Sequence, residues 1–308
     1  MDISIIIPNY NGANLLKENL PRVYKEVSGY KQGKVEIIVV DDGSKDESVL
    51  EVEKLKIENI KLISNEKNLG FAPSVNKGVK ASRGEVVILL NTDVYPEEGF
   101  LEPLLKHFSE KQVFAVGCLE RSIEGNLIVL RGRGLGEWRR GFLLHRKGEV
   151  DKANTLWASG GSSAFSKPIW EKLGGLNELY APFYYEDIDL SYRALKSGYK
   201  VLFEPKSVVV HEHEKGIIKN KYSKFKVKTT AYRNQLIFAW SNITDKELWI
   251  AHIVWLPYHF SKAIVDYDWA FFLGFINAFL LIPRILKLRH EAEKLFIRKD
   301  TEVIREFV

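Results

Sequence analysis

The run Val86-Val87-Ile88-Leu89-Leu90, entered from Glu85, constrains this chain more than any other stretch. An unbroken apolar run rich in β-branched residues reads as a strand buried on both faces, the usual state in a parallel sheet covered by helices. It gives way to Asn91-Thr92-Asp93, and Pro96 marks the end of regular structure. Ligands of open α/β sheets collect just outside the carboxyl ends of the strands. Asp93 would bring a carboxylate to that edge, with Asn91 and Thr92 beside it. A carboxylate or two, water and substrate phosphates are the ordinary way Mg²⁺ or Mn²⁺ is held. Asp and Asn are equally common in plain turns, so this stretch alone supports a metal site and a turn alike.

The pattern upstream repeats the theme. Ile3–Ile7 reads as a strand ending in Pro8-Asn9-Tyr10-Asn11-Gly12, with Asn14 placed to cap a helix running toward Tyr24. Val35–Val40 is a second strand, running into Asp41-Asp42-Gly43-Ser44, followed by a helix from about Asp46 or Ser48 to Leu55. Ile60–Ile63 is a third, and a helix from Ala72 to Ala81 precedes the fourth. Alternating strands and helices predict a parallel sheet with helices on its faces. Polar ends on the first, second and fourth strands then converge on one nucleotide-sized crevice. Pro8–Gly12 is not a G-x-G-x-x-G dinucleotide fingerprint. Gly132-Arg133-Gly134-Leu135-Gly136 follows the opening units and has no helix pattern behind it, so it reads as a flexible loop that includes Arg139, Arg140 and Arg146.

Composition excludes several classes. With 45 basic and 40 acidic residues among 308, the net charge of +5 does not mark a nucleic-acid binder. Hydrophobic residues at 45% supply a sizeable core, and the charge pattern is not that of a disordered chain. A single cysteine, Cys118, forbids an internal disulfide and fits a reducing compartment. Two residues before the first strand leave no room for a cleavable signal peptide, so a cytoplasmic location is expected.

Further along, Gly99–Phe108 reads as a helix, Val113–Gly117 as a strand, and Leu119–Asn154 as less regular. Trp157–Phe165 is small and aromatic, suited either to close backbone approach to a ligand or to a tight core strand. Phe183-Tyr184-Tyr185-Glu186-Asp187-Ile188-Asp189 sets three acids among aromatics at a helix start. The helix dipole alone would favour acids there, but acids beside aromatic rings are also how a general base is tuned. Val201–Phe203 and Ser207–Val210 read as two strands, the second delivering His211 and His213 on one face.

Taken in order, Ile6-Ile7-Pro8-Asn9-Tyr10-Asn11, Val39-Val40-Asp41-Asp42-Gly43-Ser44, Asn68-Leu69-Gly70-Phe71-Ala72, Leu90-Asn91-Thr92-Asp93, Gly174-Gly175-Leu176-Asn177-Glu178, Glu186-Asp187-Ile188-Asp189-Leu190 and His211 resemble the motifs of family-two glycosyltransferases, closest to the rhamnosyltransferase-like branch. The resemblance spans about residues 1–216. It implies a GT-A fold, Rossmann-like and mostly parallel with helices on both faces; the residues beyond it are expected to form a helical C-terminal extension. It also implies an inverting transfer from a nucleotide-diphosphate sugar to a hydroxyl on a growing glycan or lipid-linked acceptor. The implied donor site takes in Pro8, Asn9, Tyr10, Asp41, Asp42, Asn68, Gly70, Phe71, Asn76, Asn91 and Thr92, with Asp41 and Asp42 at the base and ribose. Asn91 and Asp93 stand where the family carries D-x-D. Asp93 and His211 are the expected neighbours of a Mg²⁺ or Mn²⁺ ion, Asp187 the general base, and Glu186 its partner at the acceptor. The chain departs from the family at Asn91, where the first acid is absent, at Asn177, and at Glu212-His213-Glu214-Lys215. A nucleotidyltransferase, or a membrane-associated protein that binds nucleotide with weak catalysis, are the alternatives.

From Ile217 the character changes. Lys219, Lys221, Lys224, Lys226 and Lys228 lead into an aromatic, basic region whose longest apolar run is Trp269–Ile282. That is shorter than the ~20 residues a bilayer span needs. The region 217–308 is expected to lie in the interface at the cytoplasmic face of the inner membrane, or to bury the same aromatics in a homodimer.

Overall fold

The computed structural model describes residues 1–125, 127–212 and 222–308. Strands β1 (Ile3–Asn9), β2 (Val35–Asp41), β3 (Ile60–Ser64) and β4 (Val86–Leu90) pair in parallel in the order β3-β2-β1-β4. All five residues of β4 are buried, as its sequence requires. Helices α1 (Ala13–Ser28), α2 (Ser48–Lys54) and α3 (Phe71–Ala81) make the crossovers. The first two pack on one face: Leu16, Leu20, Val23 and Val52 meet Ile5, Ile7 and Val39. Val75 and Val79 of α3 meet Ile6, Ile38 and Val40 on the other. The alternation of side chains along each strand divides the apolar residues between these two layers. Asn14 makes no cap; Gly12 occupies that position.

Beyond β4 the sheet changes direction. β10 (Ser162–Ser166) lies antiparallel between β4 and β6 (Val113–Glu124). β6 runs parallel to β11 (Lys200–His211), and β5 (Val94–Pro96) closes that edge antiparallel to β11. β7 (Leu127–Arg131) pairs with β6, completing nine strands, six of which run the same way. Because β10 is reversed, it begins where its neighbours end, and the residues before it arrive at the ligand edge of the sheet.

Several expectations need correction. Regular structure does not stop at Pro96, because Pro96 sits in β5 opposite Val209. The helix expected over Gly99–Phe108 is the short α4 (Leu101–Leu105) followed by a 3₁₀ turn. Val201–Phe203 and Ser207–Val210 belong to one strand with an irregularity between Glu204 and Val208. The glycine-rich stretch is not a flexible loop: Gly134–Arg139 and Phe142–Lys147 form an antiparallel hairpin, β8–β9. Its glycines make room, since a Cβ on Gly134 would stand 2.1 Å from the Trp157 ring.

The remaining helices are α5 (Lys167–Leu173), α6 (Glu186–Lys196), α7 (Lys224–Asn242), α8 (Lys246–Val265), α9 (Trp269–Phe279), α10 (Ile282–Glu293) and α11 (Asp300–Arg305). Leu236, Ile237 and Phe238 of α7 share one apolar layer with Val75, Phe165 and Leu190. The expected boundary near residue 216, His213, and Lys219 and Lys221 lie outside the described residues. No single helix among the described residues is long and apolar enough to cross a bilayer; α9 and α10 reach that length only together, bent by 65°.

Candidate active site

The carboxyl ends of β1, β2, β4 and β11 surround a cleft of about 400 Å³. Its first wall is Pro8, Asn9 and Tyr10 from the end of β1, with Asp42, Asn68, Gly70 and Phe71 beside them. Asp42 accepts hydrogen bonds from the Leu69 and Gly70 amides, both at 2.8 Å, and from Asn65 at 2.9 Å. It thereby ties the second strand to the loop that opens α3. Gly70 is there because its φ of +98° belongs to the region glycine enters freely.

Two expected donor residues stand off the cavity wall. Asp41 lies beneath it, accepting from Asn9 Nδ2 at 2.8 Å and from the Ser44 amide at 3.0 Å, so it orients Asn9 and the turn. Asn76 holds both backbone groups of Leu176, at 2.9 and 3.0 Å, and donates to Glu178 at 3.1 Å. Those bonds fasten α3 to the loop after α5.

Asn91, Thr92 and Asp93 form the floor, and His211 enters from the end of β11. His211 Nε2 is 3.4 Å from an Asp93 oxygen, and Nδ1 is 3.4 Å from Glu120 on β6. Burial works against the imidazolium, but hydrogen bonds and charge from Asp93 and Glu120 carry His211 up to about 10. Ser162 donates to the other Glu120 oxygen. Glu120 escaped the sequence reading because nothing local marks it; β6 was expected to end at Gly117, and its pairing with β11 puts Arg121 opposite Val210 and Ser122 opposite His211. Among the described residues no group of three His, Cys, Asp or Glu side chains is arranged to hold a metal ion. Asp93 and His211, the pair expected beside a cation, face the cleft together, and His211 would have to release the proton it shares with Asp93 and Glu120 before its ring could ligate. Two protein ligands facing an open cleft suit a hard cation that keeps water and substrate oxygens in its remaining positions.

The opposite wall is Ser159-Gly160-Gly161, delivered by the reversed β10, together with Pro182, Phe183, Tyr184, Tyr222, Glu186 and Asp187. Of the two readings of the small-residue stretch, Ser162–Phe165 is the tight core strand, while Ser159–Gly161 line the cleft, with Gly160 against the Phe71 ring and the Asp187 side chain. Asp187 accepts from the Gly160 amide at 3.2 Å and from the Ile188 amide at 2.8 Å. Burial nevertheless raises its carboxyl above the ordinary range. Glu186 is pushed up to about 8, by burial first and then by the charge of Asp187. One Glu186 oxygen is buried without a hydrogen-bond partner. Asp189 turns away: it accepts from Tyr180 at 3.0 Å, Arg193 at 2.8 Å and Asn242 at 2.7 Å, and is fully buried. Positions two apart on a helix face different sides, so α6 gives the cleft Asp187 and the core Asp189; Glu186, at its first position, lines the cleft beside Asp187. Tyr184 belongs to the aromatic run beside the acids, whereas Tyr222 has no local signal linking it to the site.

A mixed sheet with an acid and a histidine on one side of a nucleotide-sized cleft, and a carboxylate pair on the other, defines a group-transfer enzyme of the nucleotide-binding α/β class. A family model described as Glycosyl transferase family 2 matches residues 4–174, more than half of the chain, and this chain belongs to that family. The match ends before α6 and β11. The O-antigen chain rhamnosyltransferase RfbN of Salmonella typhimurium is 27% identical over 219 residues, covering 69% of this chain and 67% of that protein. The pre-mycofactocin glycosyltransferase of Mycobacterium tuberculosis is 28% identical over 218 residues, covering 69% of this chain but only 43% of the relative. Among solved structures, S. aureus TarS 1–349 in complex with UDP-GlcNAc superposes with a TM-score of 0.62 at 17% identity, over 99% of this chain and 90% of that one. GalNAc-T7 with UDP, GalNAc and Mn²⁺ gives 0.60 at 20% identity, over 80% and 48%. The fold is GT-A.

Proposed function

We propose that this chain is an inverting, cation-dependent glycosyltransferase. It would move a sugar from a nucleotide-diphosphate donor to a hydroxyl of a growing glycan or lipid-linked acceptor. The observation that carries the reading is the cleft itself, which Asp93 and His211 share with Glu186 and Asp187. Mn²⁺ in the GalNAc-T7 structure and in that of the Pyrobaculum calidifontis mannosyltransferase with GDP-Man supports a divalent ion. Asp93 and His211 would hold Mg²⁺ or Mn²⁺, which when bound offsets the charge that grows on a departing diphosphate.

The chain's own residues do the rest. Pro8–Tyr10, Asp42 and the Asn68–Phe71 loop form the wall on which a nucleoside would lie. Asp187, with raised proton affinity and backbone donors on both oxygens, takes the proton of the acceptor hydroxyl. Its neighbour Glu186 keeps its proton near neutral pH and can donate to an acceptor or sugar oxygen. Phe71, Phe183 and Tyr184 exclude water from the point of transfer. One carboxylate deprotonating an acceptor that attacks opposite the leaving diphosphate gives inversion.

The partner surface lies in the C-terminal helices. Ile250, Ile253, Val254, Ile264 and Val265 of α8 and Leu273 and Ile276 of α9 are exposed, and Tyr267 and Trp269 are 79% and 63% open. Arg140 stacks on Trp255 and Tyr258 at 5.7 and 5.1 Å, and Arg284 and Lys287 are exposed on α10. Aromatics and cations around an apolar face suit a membrane interface with anionic headgroups. We place the enzyme there, as a peripheral protein on the cytoplasmic side. Flotation with anionic vesicles is expected; a solution dimer that does not float would assign the same face to a second copy.

The function is tested by thermal shift across nucleoside diphosphates and nucleotide sugars with and without Mn²⁺. A saturating ligand at ~100 times its Kd should raise Tm by roughly 5–10 °C. Nucleotide binding that never needs a divalent ion, with no sugar transferred or hydrolysed, would favour the binding protein over the enzyme. Release of pyrophosphate from a nucleoside triphosphate would favour the nucleotidyltransferase.

A further inference from the structure

We propose that Asn234 and Arg233 of α7 are positioning residues for Glu186 and Asp187, acting through the backbone of Tyr180–Tyr185. The inference rests on the assignment of Asp187 as the base.

Two consecutive tyrosines enter α6 in the left-handed region, Tyr184 at φ +73° and Tyr185 at +78°. Bulky residues disfavour that region, so such a pair persists only where surrounding contacts over-determine it. Tyr185 is the residue that starts α6, so its conformation sets the direction in which Glu186 and Asp187 leave the chain.

The determining contacts come from 50 to 54 residues away. The two N–H bonds of Asn234 Nδ2 are shared among the carbonyls of Tyr180 at 3.1 Å, Phe183 at 2.9 Å and Tyr184 at 2.8 Å. Arg233 donates to the carbonyls of Tyr180 at 3.1 Å and Ala181 at 2.5 Å, and its Nε donates to the Asn234 oxygen at 2.9 Å. Asn234 is wholly buried, with both ends of its amide engaged. One turn on, the Phe238 ring lies 5.8 Å from Tyr185 and 5.1 Å from Tyr192. A further turn on, Asn242 reaches Asp189 inside α6. Positions i, i+4 and i+8 lie along one side of a helix, so a single side of α7 grips the approach to α6, its first turn and its middle.

An amide that only filled space in the core would not be directed at three carbonyls of the segment bearing two strained tyrosines. Its removal takes this donor from the Phe183 and Tyr184 carbonyls, leaves Tyr180 to Arg233 alone, and frees the tyrosines to relax, which turns α6's first turn away from Gly160.

The test uses the full chain carrying Asn234→Ala, followed by hydrogen exchange. Amides in 180–190 should exchange about tenfold faster, as expected for losing buried hydrogen bonds, while those of β1 and β4 stay as in the wild type. Affinity for a nucleoside diphosphate with Mn²⁺ should be unchanged. Release of nucleoside diphosphate from the nucleotide sugar that binds should fall by about tenfold or more in kcat, with the donor KM unaltered. If Asn234→Ala does not fold, Arg233→Ala, at a half-buried position, is read the same way with a smaller amplitude. The proposal is overturned by unchanged exchange in 180–190, by a rise spread evenly over the sheet, or by a local rise with wild-type turnover. Asp187→Asn is the separate control: full turnover in that variant removes the base assignment, whereas the exchange data decide the clamp on their own.

Discussion

Lys196 at the far end of α6 and Asp300 at the start of α11 make an ion pair at 2.8 Å with both side chains wholly buried. The two partners are not equally supported. Asp300 also accepts from Tyr192 at 2.7 Å, the Thr244 amide at 2.6 Å and the Asp245 amide at 2.8 Å. Lys196 has the Asn242 carbonyl at 3.0 Å, the Thr244 hydroxyl at 2.6 Å and the Phe296 ring face at 4.3 Å, and burial lowers its pKa. Lys196→Met therefore leaves a carboxylate that keeps its donors, and should cost about 3 kcal/mol, the low end for breaking a buried pair. Asp300→Ala leaves a buried ammonium and orphans two amides and a phenol. It should cost about 6 kcal/mol or more, the ~3 kcal/mol of the broken pair with ~1 kcal/mol or more added for each orphaned donor. Losses of that size consume much of the ~5–15 kcal/mol that holds a typical domain together. Urea unfolding with a constant slope measures both. The reasoning fails if Lys196→Met is as damaging as Asp300→Ala, or if either variant loses less than ~1 kcal/mol.

Three other outcomes follow from the site. Asp93→Ala should abolish the Mn²⁺-dependent part of nucleoside-diphosphate binding without altering the circular dichroism spectrum; calorimetric titration showing wild-type affinity removes Asp93 from the cation. Asp187→Asn should keep donor affinity and lower transfer by about 10²–10⁴-fold; if Glu186→Gln or Asp189→Asn does this instead, the base is another member of the cluster. Glu186, raised in the folded protein from an ordinary 4.5 to about 8, keeps a proton that the unfolded chain releases. Its contribution to stability is thus full below about pH 4.5 and is lost as pH rises toward 8, so Glu186→Gln should flatten the fall of Tm across that window. An unchanged Tm profile would mean that Glu186 titrates normally.

The sequence by itself determined the opening β–α alternation, the burial of Val86–Leu90 and the polar strand ends that became the cleft. Each follows from local chemistry: the period of apolar residues, the turn residues that stop a strand, the acids at a helix start. It also marked Asp93 and His211, where strands give out, and the three acids at the start of α6, among which only the family resemblance singled out Asp187. Only the tertiary structure decided which strands lie side by side. The reversal of β10 brings Ser159–Gly161 to the ligand edge and sets Ser162 against Glu120, and no local pattern encodes a ladder between residues 46 to 50 positions apart. The same holds for the acids of α6. Their types are alike in sequence, but Asp187 meets Gly160 whereas Asp189 meets Tyr180, Arg193 and Asn242. Partners distant in sequence separate a carboxylate that can take a proton from one that holds the core, because a side chain's chemistry depends on what burial removes and what hydrogen bonds restore.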